Sequence, residues 1–83
     1  MTLEELITKH NKSGSRRYVY VRTRHGWSCA GNYTKKADAD RRIREINANT
    51  YGTWDGAVEV VTIQTHETQA YIGHEINEIE HQD

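Results

Sequence analysis

Residues 17–34 read RYVYVRTRHGWSCAGNYT, and this stretch decides the fold. From Arg17 to Arg24 the side chains alternate through tyrosine, valine and threonine, residue types that fit a pleated, half-buried surface. His25 and Gly26 then supply a tight turn, and Trp27 to Thr34 returns as a second strand. With that turn Arg24 lies opposite Trp27, Arg22 opposite Cys29, Tyr20 opposite Gly31 and Tyr18 opposite Tyr33, all on one face. Val19, Val21, Thr23, Ser28, Ala30 and Asn32 occupy the other. The sequence thus predicts a hairpin with one aromatic and basic face and one small aliphatic face.

Upstream, Leu3, Leu6, Ile7 and His10 recur at the spacing of one helical face, and Thr2 with Glu5 forms a capping box at the first turn. Asn11 to Ser15 is polar and contains Gly14, so the helix over residues 1–11 is expected to be loosely attached. Downstream, Thr34 caps a second helix from Lys35 to Ala48, with Asp38 and Asp40 near its positive end and an apolar stripe of Ala39, Ile43 and Ile46. Asn49 and Gly52 are stop signals, and Tyr51 to Gly56 is a turn-rich loop carrying Trp54. Ala57 to Thr65 reads as a third strand, expected to be central because it is the most aliphatic. His66, Glu67 and Thr68 turn the chain into a fourth strand from Gln69 to Ile76, followed by an acidic tail over 77–83. Ile72, Ile76 and Ile79 also fit a helical face, a competing reading of the same segment. The order αββαββ predicts a single α+β domain over 1–83, an antiparallel sheet with its helices packed on one face.

The chain has 83 residues, with 2 Leu, 7 Ile, 5 Val and no Phe, so its core is thin and leaves no room for separate catalytic and recognition domains. Its net charge of −1 conceals two opposed blocks. Residues 10–45 hold ten lysines and arginines against three acids, a net of +7, whereas residues 46–83 hold seven acids and no lysine or arginine, a net of −7. Such polarity points to a polyanionic or oppositely charged partner, unless the two halves lie side by side and neutralise each other.

No apolar run approaches the ~20 residues a membrane span needs, and the opening residues are acidic where a signal peptide is basic. With Cys29 the sole cysteine there is no internal disulfide, and the expected location is the cytoplasm, with no membrane partner. In general type the chain is similar to the short accessory proteins of phages and mobile elements, though no motif specific to a family is present.

His10, His25, His66, His74 and His81 with Cys29 lack any tight ligand spacing, so neither a metal nor another cofactor is expected. Cys29 beside Arg22 would have a lowered thiol pKa and nucleophilic character, or else be a packed small hydrophobe. There is no glycine-rich phosphate loop and no nucleophile elbow. A small ribonuclease or toxin using His25 and His66 as an acid–base pair is the least favoured of three readings, and the protein is expected not to be an enzyme.

The sharpest signal is the hairpin face of Tyr18, Tyr20, Arg22, Arg24, Trp27 and Tyr33, extended by Lys35, Lys36, Arg41 and Arg44 of the second helix. These are the residue types that protein interfaces concentrate, and the predicted function is a non-catalytic regulator or inhibitor that blocks a macromolecular partner, a protein in preference to nucleic acid. The same residues suit single-stranded RNA or DNA, where rings stack on bases and arginines neutralise phosphate. Against both stands the reading that Tyr18, Tyr20 and Tyr33 simply fill the core. Association of the chain with itself, basic face to acidic face, is a further expectation.

Overall fold

The computed structural model describes residues 2–10, 14–48, 56–57 and 59–80. In chain order these form α1 (Leu3–His10), β1 (Arg16–Thr23), β2 (Gly26–Tyr33), α2 (Lys36–Ala48), β3 (Glu59–Thr65) and α3 (Gln69–Glu80). The α+β class and the antiparallel sheet agree with the sequence, but the last element is a helix and the order is αββαβα. The expected stop signals Asn49 and Gly52 and the loop with Trp54 lie outside the described residues, as does the tail beyond Glu80.

Thr68 decides the fate of the last element. Its hydroxyl accepts the Tyr71 amide at 3.2 Å and its carbonyl accepts the Ile72 amide at 3.2 Å, so it caps α3 where a turn into a strand was expected. Ile72 and Ile76 then fall one helical turn apart and both are buried, while Ala70 and His74, which a strand would have placed beside them, are exposed. At the other end of the chain the Thr2–Glu5 capping box forms as predicted, with the Glu5 amide donating to the Thr2 hydroxyl at 3.2 Å and the Thr2 amide to the Glu5 carboxylate at 3.4 Å.

The sheet order is β2-β1-β3, with both pairings antiparallel. The central strand is therefore β1, not the more aliphatic β3. Its even residues Tyr18 and Tyr20 and its odd residues Val19 and Val21 are all buried, so β1 has a covered surface on both sides, which tyrosine volume helps to fill. The hairpin loop is Arg24–His25, with Thr23 opposite Gly26, one residue earlier than the expected turn. Gly26 takes a φ of 104°, and no atom lies near the place a Cβ would occupy. Arg22 consequently faces Trp27 and Tyr20 faces Cys29, until a bulge between Val19 and Tyr20 leaves Ala30 as an extra residue on β2.

Helices cover both faces of the sheet, not one. Leu6 of α1 and Ile72 and Ile76 of α3 pack with Tyr18, Tyr20 and Ile63 on one side. Ala39 and Ile46 of α2 pack with Val19 and Val21 on the other. Leu6 is 0 % exposed, so α1 is an integral part of the core and not loosely attached. The alternation of β1 requires this three-layer plan, because each set of its side chains needs its own cover.

Candidate partner-binding surface

The hairpin face predicted from sequence is divided by the fold. Tyr18 and Tyr20 are 1 % and 3 % exposed and belong to the core, as the competing reading held. Their phenols donate to backbone carbonyls at the start of the last helix, Tyr18 to Glu67 at 2.9 Å and Tyr20 to Gln69 at 3.2 Å. Burial pushes the Tyr20 phenol pKa far above its usual value. Tyr33 leaves this face altogether: the bulge at Ala30 reverses the alternation and packs it against the α2 cluster.

Lys35, Lys36, Arg41 and Arg44 also lie away from the hairpin face, because α2 packs on the Val19 and Val21 side of the sheet. Lys36 is tied to Asp40 at 2.8 Å and Arg41 to Asp38 at 3.5 Å, while Lys35 and Arg44 are exposed. What remains together is the hairpin tip. The Arg22 guanidinium sits 6.0 Å from the centre of the Trp27 ring, a cation–π contact, and its Nε lies 3.4 Å from Glu59. The Arg22 side chain keeps 40 % of its surface in solvent. Beside it Arg24 is exposed and donates from Nε to His25 at 3.3 Å.

The tip opens onto a groove of about 680 Å³ between β2 and α3. Trp27 and Cys29 form one wall, Ala70, Gly73 and Asn77 the other, and Tyr20 the floor. The groove lies where α3 crosses the tyrosines and faces β2 with Ala70 and Gly73 among the longer side chains of Gln69, His74 and Asn77. Reading residues 69–76 as a strand hid this wall; the isoleucine spacing and the cap at Thr68 are the signals that reveal it.

Cys29 lies across from Tyr20, not Arg22, and its thiol donates to the Gly31 carbonyl at 3.5 Å. Burial raises its pKa, opposite to what a nucleophile requires. His25 follows the end of β1 where Arg22 pairs with Glu59, and His66 follows the end of β3 where Thr65 pairs with Arg16. The two lie at opposite ends of the sheet, on the order of 20 Å apart from the strand rise alone, so they do not form an acid–base pair. A different histidine has a relay-like setting. His10 Nδ1 lies 3.0 Å from the Thr65 hydroxyl and Nε2 lies 3.5 Å from Glu75. Thr65 is 0 % exposed, so no substrate reaches it, and the trio serves as a clamp joining α1, β3 and α3. Tyr71 stands edge-on to His10 at 6.4 Å, its phenol pKa raised by its hydrogen bond to Glu75 and by the charge of that residue. Among the described residues no group of three His, Cys, Asp or Glu side chains converges as metal ligands, and no helix is long and apolar enough to cross a membrane.

The charge blocks of the sequence become layers of the fold. Helices α1 and α3 carry Glu4, Glu5, Glu75, Glu78 and Glu80 against Lys9, a net of −4. The hairpin carries Arg16, Arg17, Arg22 and Arg24 and no acid, and α2 carries four bases against three acids. Among the described residues Arg22–Glu59 is the one arginine or lysine bridge between the basic and acidic blocks, so the two halves do not neutralise each other pair by pair.

Compared with protein-family models, curated proteins and solved structures, the chain matches none.

Proposed function

We propose that the protein is a non-catalytic binding module that blocks a protein partner with its hairpin tip and the adjoining groove. The observation that carries this reading is Arg22, partly in solvent, held over Trp27, whose ring forms one wall of an open groove. Arginine and tryptophan are the residues on which binding energy concentrates, because each contributes large contact area with a fixed direction for its polar atoms. The partner segment this chemistry suits presents carboxylates to Arg22 and Arg24 and, to the groove, a side chain that combines apolar surface with hydrogen-bonding atoms for Gln69, His74 and Asn77. Lys35, Arg41 and Arg44, on the other face, are reserved for long-range attraction and not for contact. Cytoplasmic action fits a half-buried free thiol.

With Tyr18 and Tyr20 in the core, one ring of the original stacking set remains beside the arginines. A base stacked on an aromatic side chain contributes roughly 1–3 kcal/mol, and a single platform supports little affinity for single strands. The test is capture of partners from host extract by the wild-type chain and by the double variant Arg22→Glu, Arg24→Glu, alongside polarisation titrations with single-stranded and duplex oligonucleotides at low and high salt. A protein retained by the wild type and lost from the folded variant supports the proposal. Oligonucleotide binding that falls steeply with salt, without a captured protein, replaces it with the nucleic-acid reading.

A further inference from the structure

We propose that two copies of the chain pair antiparallel through the outer edges of β3, joining their sheets into one of six strands. In the order β2-β1-β3 the strand β3 stands at the edge, and among the described residues no strand pairs with its outer side. Edge strands are commonly guarded by lysine, proline or bulges. Over Glu59–Thr65 there is neither lysine nor proline, the pairing with β1 is regular, and the one charge, Glu59, is engaged by Arg22.

The occupant is a second copy because the strand is self-complementary about Thr62. A two-fold interface sets the same surface against itself. With the axis through Thr62, Val61 of each copy faces Ile63 of the other on the α1/α3 side, and Val60 faces Gln64 on the α2 side. Glu59 faces Thr65, so no like charges meet. Thr62 itself faces Thr62, and its hydroxyl is buried with no hydrogen-bond partner in the monomer. Turned about its Cα–Cβ bond toward the strand edge, that hydroxyl finds its partner in the Thr62 hydroxyl of the other copy. The α2 side of β3 is open to such an approach, since α2 packs over β1 and β2 and leaves a groove beside Thr62 and Gln64. Both hairpin tips stay free at the far edges of the joined sheet, so the dimer is independent of the binding role proposed above and would make it bivalent.

Sedimentation velocity over a wide concentration range tests the pairing, together with oxidation of single-cysteine variants in a Cys29→Ser background. The wild type is expected to sediment as a dimer that Thr62→Lys converts to monomer. Thr62→Cys is expected to form a disulfide-linked dimer, because opposed residues lie within disulfide reach, whereas Val60→Cys stays uncrosslinked with its twin roughly 14 Å away. A monomer at every concentration overturns the proposal. So does a dimer that survives Thr62→Lys but dissociates in high salt, which is the signature of basic-to-acidic face contact, and so does crosslinking at residue 60 instead of 62. The cysteine variants carry the test whether or not the lysine variant folds.

Discussion

The Tyr20 phenol donates a 3.2 Å hydrogen bond to the carbonyl of Gln69, 49 residues further along the chain. It fastens the first turn of α3 to the central strand and engages the phenol within the fold, leaving the ring as the floor of the groove. Removing the hydroxyl leaves the ring packing intact and deletes one partly buried hydrogen bond. Tyr20→Phe is expected to lower stability by about 1 kcal/mol in urea unfolding, with partner binding preserved. Loss of binding with unchanged stability would show that the hydroxyl contacts the partner instead of Gln69.

Gly73 separates stability from binding. It lies in the interior of α3 and lines the groove, and a Cβ added there meets its nearest neighbour, the Tyr20 hydroxyl, at an ordinary 3.9 Å. Gly73→Ala is expected to stabilise the protein by about 1 kcal/mol through helix propensity, seen as a higher denaturation midpoint. The same methyl group narrows the groove, so partner affinity is expected to fall.

The clamp of His10, Thr65 and Glu75 joins three elements that are distant in sequence. The Thr65 hydroxyl accepts the Glu67 amide at 3.0 Å and lies against His10 Nδ1, while His10 Nε2 faces Glu75. His10→Ala strands a largely buried carboxylate and is expected to cost about 3 kcal/mol. Glu75→Gln keeps a polar side chain of the same shape facing Nε2 and is expected to cost about 1 kcal/mol. Equal losses in parallel urea titrations would show that the pairing is not what holds α1 in place.

Cys29 supplies a pH dependence. Its folded-state pKa is raised by burial, so the folded chain holds the thiol proton to a higher pH than the unfolded chain does. The stability linked to this group is fully present below the ordinary thiol pKa of about 8.5 and declines as pH rises from there through the raised folded value. Alkylation of Cys29 is expected to be slow at neutral pH and to follow a profile displaced upward from that of a free cysteine. A profile displaced downward would indicate an activated thiolate instead.

Much of this fold is legible in local chemistry. The capping box of Thr2 and Glu5, the alternation from Arg17 to Thr23 and the stripe of Ala39, Ile43 and Ile46 each act over a few residues, and each element forms where they say. What local chemistry does not contain is the count of layers. Val19 and Val21 look like a minor face beside the tyrosines until α2 covers them, and β1 becomes the central strand because β3 pairs with the edge that β2 leaves open. The bulge at Ala30 is equally silent in the sequence, yet it sends Tyr33 to the opposite side from Tyr18 and Tyr20. Residues 69–80 satisfy both periods over their first turns, and the Thr68 cap decides between them. The candidate site suffers most, since Arg22, Arg24 and Trp27 stay together at the tip while the tyrosines and the α2 bases go elsewhere.

The central claim is that the partner touches the hairpin tip. A photo-crosslinking amino acid placed at position 27, and in a separate variant at position 44 on α2, reads this directly in host extract. The account predicts that position 27 links to one protein and position 44 does not. Crosslinking confined to position 44, or crosslinking of position 27 to nucleic acid, would contradict it.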